Sequence, residues 1–373
     1  MDKDAGKIEA GTPAFRRATV AVFSCGFSIF AILYCPQPVL PLLTQEFGIT
    51  PAQSSLAVSL PCITMAVAML FVSSLSDVLG RKPLMLGAIA LSSVFTLALY
   101  WAESWTSVLW LRALAGVALS GAPAVSLAYL SDEIHPKAVT HAVGLYVGGS
   151  ALGGMGGRLA AAGITDVGSW RLSMVVIALT GFVLLAVFWR AMPASRHFKA
   201  AKGGVLEMMR SMLGLFRVRT VVLLVIVSFF GLGSFMTLFN YLGFRLQAEP
   251  FNLSQATAGL VFLAYPIGSV GSAFFGARAA KYGRGPVLIV CASGLFFALA
   301  LMMPDSLVTL TMGLALLTFC FFGAHAICSS WAPAAAPNSK AQASSLYLLL
   351  YYVGGGVAGS VGGIFWAWNG WVG

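Results

Sequence analysis

One histidine, His325, lies inside a long apolar stretch of this chain, and imidazole gains and loses a proton near neutral pH. It is the first candidate to carry a proton through an apolar barrier. Arg112 and Arg158 also fall inside apolar stretches, where a cation is costly and by default marks function. Tyr34, Gln37, Asn240, Tyr241, Tyr265, Tyr347 and Tyr351 add hydroxyl and amide groups. Such groups beside two guanidinium ions suit a neutral or anionic small molecule and fit a cation poorly. The carboxylates lie outside these stretches or at their edges; Asp132 and Glu133, adjacent at one edge, are second candidates for the proton. Each residue has a plain alternative: His325 packing against a backbone carbonyl, Arg112 snorkelling to a nearby surface, the aromatics filling space. No paired carboxylates, nucleophile–base pair or metal-ligand cluster accompanies them. The pattern therefore predicts no enzyme, no metal and no cofactor.

The elements that carry these residues follow from composition. Of 373 residues, 59% are hydrophobic and 9% charged, against about 25% charged in soluble domains. That balance excludes a soluble enzyme, a nucleic-acid-binding domain, a disordered chain and a disulfide-stapled secreted module. The six cysteines sit in apolar runs without framework spacing and read as small core residues. Crossing a bilayer takes about 20 apolar residues of helix. Eleven runs qualify: 19–43, 54–75, 83–101, 108–130, 139–164, 170–188, 220–241, 256–276, 286–303, 307–329 and 343–366. With the N-terminus in the cytoplasm, Arg171 and Arg245 fall outside and Arg112 and Arg158 within spans; every other Lys and Arg falls inside. The formal charge of +10 is thus an orientation signal and implies no nucleic acid. The first run is too long for a signal peptide and reads as a retained anchor.

The chain also repeats itself. Gly80-Arg81-Lys82-Pro83 recurs as Gly283-Arg284-Gly285-Pro286, and Gly121-Ala122-Pro123-Ala124 as Gly323-Ala324-His325-Ala326. Tyr146-Val147-Gly148-Gly149 with Gly153, Gly156 and Gly157 recurs as Tyr352-Val353-Gly354-Gly355 with Gly359, Gly362 and Gly363. Three matches in order at nearly one spacing predict an all-α integral membrane protein of two pseudo-symmetric halves. The expected organisation is a six-span half at 1–189, a basic cytoplasmic linker at 190–219 and a second half at 220–373 with five spans. The counterpart of Trp170-Arg171 would lie past Gly373, so a twelfth span is expected to be missing from this chain.

The segment Ser76-Asp77-Val78-Leu79-Gly80-Arg81-Lys82 resembles motif A of the major facilitator superfamily, G-x-x-x-D-[RK]-x-G-[RK]-[RK]. Ser73 replaces the first Gly, Val78 a basic residue, and the second copy has Ala280 in the acid position. Arg112-Ala113-Leu114-Ala115-Gly116 resembles the family's motif B. The stretch from Gly149 to Arg158 is similar to motif C of drug/proton antiporters, with Gly154 for Pro and Arg158 for the last Gly. Longer strings, among them Tyr34-Cys35-Pro36-Gln37-Pro38 and Tyr129-Leu130-Ser131-Asp132-Glu133-Ile134-His135-Pro136, are similar to the YnfM-type branch of inner-membrane transport proteins.

The resemblance implies the major facilitator fold, alternating access and export of a small solute by proton antiport across a bacterial inner membrane. It implies a conformational latch at Asp77, Gly80, Arg81, Lys82, Gly283 and Arg284, and partners limited to a small-molecule substrate, the proton and the lipid bilayer, in a monomer. Expected substrate contacts are Tyr34, Gln37, Arg112, Arg158, Asn240, Tyr241, Tyr347 and Tyr351, and expected proton groups are His325, Asp132 and Glu133. A uniporter or proton-coupled importer of the same fold is the alternative, favoured by the absence of a carboxylate inside the spans. A solute sensor without net transport is the reading from another class.

Overall fold

The structure, a computed structural model, describes residues 6–197 and 205–373, apart from the side chains of residues 73, 74, 77 and 205–208. The first helices are α1 (Pro13–Tyr34), α2 (Leu40–Phe47), α3 (Pro51–Ser54), α4 (Leu56–Leu79) and α5 (Arg81–Ala98). Next come α6 (Trp105–Leu119), α7 (Pro123–Glu133), α8 (Pro136–Val167), α9 (Trp170–Ala191), α10 (Val205–Gly214) and α11 (Arg219–Gln247). The last are α12 (Gln255–Gly259), α13 (Tyr265–Tyr282), α14 (Arg284–Leu301), α15 (Leu307–Ala334) and α16 (Lys340–Asn369). Apart from these and short 3-10 turns, an isolated parallel bridge joins Ile8 and Ile134.

Ten helical stretches among the described residues are long and apolar enough to cross a membrane. The remaining expected span, 139–164, falls within α8, whose 32 residues would reach across a bilayer. Its many glycines, with Arg158 and Asp166, dilute the apolar character that marks the other ten.

Breaks in the helices follow the residues. Pro36 and Pro38 end α1, since neither supplies an amide N–H to continue it. Gly121 and Pro123 split the expected span 108–130 into α6 and α7. Gly80 (φ +83°) and Gly283 (φ +89°) occupy left-handed backbone between α4 and α5 and between α13 and α14. Both motif copies therefore need glycine at that place for one reason.

The chain divides into two compact units: Met1–Gln37 with Leu60–Val205, and Pro38–Ser59 with Leu206–Gly373. Residues 38–59, from the first sequence half, belong with the second unit. In unit one, Gly149, Gly153 and Gly157 of α8 lie on the backbone of Phe23, Phe27 and Ala31 of α1. Both series ascend together, so the two helices run parallel, close enough that a Cβ at Gly157 would stand 2.7 Å from Ala31. In unit two, Gly354 and Gly362 of α16 meet Phe229 and Thr237 of α11, with Ala358 against Gly233 between them. This register is one residue off the match read from the sequence. The matched series, Gly355, Gly359 and Gly363, forms a second stripe against Leu232, Asn240 and Tyr241, with Ser59 and Ala52 of the 38–59 segment beside it.

The outer faces differ. In unit one, Met85, Ile89, Ser92, Ser93 and Thr96 of α5 are buried, with Ser93 against Gly181 of α9. In unit two, Leu288, Ala292, Leu295, Phe296 and Leu299 of α14 line one wall of a cavity of about 410 Å³.

Candidate functional site

In unit one the end of α1 gathers four expected residues. Because residue 36 is proline, the Ile32 carbonyl has no amide partner one turn ahead. The Gln37 N–H turns to Tyr34 O (3.0 Å), which deprives Leu33 O in the same way. Arg112 of α6 supplies both: Nη1 donates to Ile32 O (3.1 Å) and Nη2 to Leu33 O (2.6 Å). Its side chain is fully buried and does not snorkel. The guanidinium also places positive charge at the negative end of the α1 dipole. Arg158 of α8 is equally buried. Its Nε donates to Gln37 Oε1 (2.6 Å), its Nη1 to Gly154 O (2.7 Å), and its guanidinium lies 4.1 Å from the centre of the Tyr34 ring. A Cβ at residue 154 would stand 3.3 Å from Nη1, so glycine in place of the motif C proline leaves room for this fold-back.

At the opposite, basic end of unit one the motif A residues separate. Arg81 pairs with Asp132 (2.6 Å), while Lys82 Nζ donates to Trp189 O (3.1 Å) and Met192 O (2.6 Å) at the end of α9. The Asp77 side chain lies outside the described residues. Glu133 is buried: Oε1 accepts the backbone N–H groups of Arg196 (2.7 Å) and His197 (2.8 Å), and Oε2 meets His197 Nδ1 (3.0 Å). Ile8 N–H donates to Glu133 O and the His135 N–H to Ile8 O, so the N-terminal segment lies on the same corner. Tyr129 Oη donates to Pro193 O (3.2 Å). Asp132 and Glu133 are thus engaged with neighbours at a helix end, away from the residues around Tyr34. Sequence reading missed this anchoring of 192–197, because the backbone donors that meet Glu133 carry no side-chain signature.

In unit two, His325 of α15 places Nδ1 3.0 Å from Tyr347 Oη on α16 and its ring 4.5 Å from that of Tyr351. Phe321 stacks on Phe235 of α11 at 4.2 Å. All five rings line the 410 Å³ cavity. One wall of that cavity is ring and imidazole; the other is the α14 face whose counterpart in unit one is buried beneath α9. Asn240 and Tyr241 sit farther along α11: Asn240 Nδ2 donates to Gly359 O (3.3 Å), and Tyr241 stacks on Trp366 (5.6 Å). Tyr265 joins the rings of Phe235, Phe239 and Phe322. Arg284 is exposed at the start of α14. All six cysteines are buried and free. Among the described residues no group of three His, Cys, Asp or Glu could hold a metal.

Comparison with known proteins agrees with this arrangement. The model of the Major Facilitator Superfamily matches residues 22–360. "Inner membrane transport protein YnfM" of Escherichia coli (strain K12) is 43% identical over 366 residues, covering 98% of this chain and 88% of that protein. "Uncharacterized MFS-type transporter YybF" of Bacillus subtilis (strain 168) is 38% identical over 370 residues, 98% of this chain and 91% of that one. Among solved structures, an inward-facing, unoccupied bacterial homolog of the human lysosomal transporter Spinster matches 94% of this chain and 82% of its own, with a TM-score of 0.78 at 16% identity. A D-xylose-proton symporter matches with a TM-score of 0.74 at 15% identity, over 94% of this chain and 89% of its own. At those identities the solved structures share the fold alone. The repeated halves, the helical breaks and these matches together place this chain in the Major Facilitator Superfamily, as a multi-pass membrane transporter of small solutes and not an enzyme.

Proposed function

We propose that this chain is a secondary active transporter that exports a small neutral or anionic solute across the bacterial inner membrane. It works by alternating access and proton antiport, as a monomer with its N-terminus in the cytoplasm. The observation that carries the coupling is His325 with Nδ1 3.0 Å from Tyr347 Oη on a cavity wall. Substrate contacts are assigned to Tyr34, Gln37, Arg112 and Arg158 in one unit and to Asn240, Tyr241, Tyr347 and Tyr351 in the other. Asp132 and Glu133, already engaged by Arg81 and His197, are assigned to holding the cytoplasmic end in shape. Asp77, Gly80, Arg81, Lys82, Gly283 and Arg284 form the latch. A second reading, uniport or proton-coupled import, is favoured by the absence of a carboxylate within the spans.

The test is proton flux in proteoliposomes under an imposed pH gradient, with a panel of sugars, organic anions and drugs. Antiport requires that one solute dissipates the gradient and that His325→Ala abolishes this while solute binding persists. Solute movement without proton flux overturns antiport in favour of uniport.

A further inference from the structure

The apolar surface of unit one carries a second groove of about 410 Å³, between α5 and α9. Leu86, Gly87 and Ala90 wall one side, Phe182, Ala186 and Trp189 the other. Lipid wets every apolar face of a membrane protein, so the groove matters for what stands at its end. Lys82 is one helical turn before Leu86, on the same stripe of α5. Its ammonium is fastened to the carbonyls of Trp189 and Met192, and Trp189, itself 59% exposed, lines the groove at that end. Arg17 of α1 reaches the same corner, its Nη2 3.0 Å from Arg190 O.

The charges there are available. Arg81, the other basic residue of the turn, is neutralised by Asp132, whereas Lys82, Arg17 and Arg190 have no carboxylate partner among the described residues. Arg17 and Arg190 are exposed, and Lys82 has three N–H donors of which two meet carbonyls. A tryptophan at the boundary marks the interfacial depth at which phosphate groups sit. An apolar slot whose end holds the Lys82 ammonium and the Arg17 guanidinium, with Arg190 exposed as the residue after Trp189, complements a molecule with a hydrocarbon chain and an anionic head.

We propose that this corner is a binding site for an anionic phospholipid. Lys82, Arg17 and Arg190 hold its phosphate, and one acyl chain lies between α5 and α9. A zwitterionic lipid with the same chains offers the phosphate but brings its own cation toward the cluster, which repels it.

The test is native mass spectrometry of the full chain, delipidated in detergent, with phosphatidylglycerol and phosphatidylcholine of matched chains. Phosphatidylglycerol is expected to be retained more strongly, by about fivefold or more, since each basic residue near a headgroup adds about 1 kcal/mol. The double variant R17Q/R190Q leaves every backbone carbonyl in place and should bring phosphatidylglycerol down to the phosphatidylcholine level. Gly87→Leu should lower phosphatidylglycerol retention by occupying the slot, without harming the fold, because a Cβ there has no atom within 4 Å. Equal retention of the two lipids by the wild type, or an excess that survives R17Q/R190Q, overturns the site. Undiminished binding in Gly87→Leu overturns the place given to the acyl chain.

Discussion

Replacing Arg112 by alanine strands the carbonyl of Leu33 at a buried helix end and leaves that of Ile32 only the weak Cys35 Sγ–H donor at 3.4 Å. An unmet buried polar group costs about 1–3 kcal/mol, so Arg112→Ala should lower the melting temperature in detergent sharply. Arg112→Lys, with one compact donor group in place of a planar fork, should recover only part. An unchanged melt in Arg112→Ala would remove the capping role. Tyr347→Phe tests the other buried pair: it keeps the ring but deletes the hydroxyl 3.0 Å from His325 Nδ1. Under antiport the pH profile of solute-driven proton flux should move; a profile identical to the wild type would count against His325 as the carrier. Both arginines were legible as in-span cations, and Tyr34 and Gln37 as in-span polar groups. What the letters could not say is that Pro36 creates the need Arg112 meets, because that partnership spans 80 residues and exists only once two helices pack.

At the scale of elements, the glycine rows of α8 and α16 set how closely helices approach. Gly153 lies directly on the Phe27 carbonyl, so Gly153→Val should abolish monodisperse protein in size-exclusion chromatography. Gly148, with no atom near a built Cβ, should accept alanine with a slight gain from helix propensity of about 0.5–1 kcal/mol. Equal tolerance of both changes would contradict the parallel α1–α8 packing. Sequence periodicity made the close packing visible but not its register, since α16 carries two adjacent small-residue stripes and letters alone cannot choose between them. The expected single span 108–130 breaks into α6 and α7 at Gly121 and Pro123, which the sequence reading used only as part of the repeat. Glu133 is the converse case: a carboxylate at a span edge invites a proton role, and its backbone partners in 192–197 appear only in three dimensions. Glu133→Ala should accelerate amide exchange at Arg196 and His197 strongly, read by hydrogen–deuterium exchange; exchange as slow as in the wild type would show that Glu133 does not hold that segment.

For the whole molecule, the repeat announced two related halves, yet residues 38–59 keep company with the second unit. Ser55 and Ser360 mark that junction, their hydroxyls 3.3 Å apart. The proposed orientation predicts that Glu103→Cys is labelled by an impermeant maleimide in intact cells, and that Lys137→Cys is labelled only after permeabilisation. Both positions are exposed and the native thiols are buried, so the background is low; the reverse pattern would invert the topology. The Arg112 bridge also carries a consequence for synthesis. A ribosome delivers α1 to the bilayer long before α6 exists, and lipid has no donor for Leu33 O. The first helix of this protein must therefore wait, unfinished at one end, until the chain has supplied the arginine that completes it. Truncations released just before and just after residue 112 should differ in how firmly the first helix holds its place.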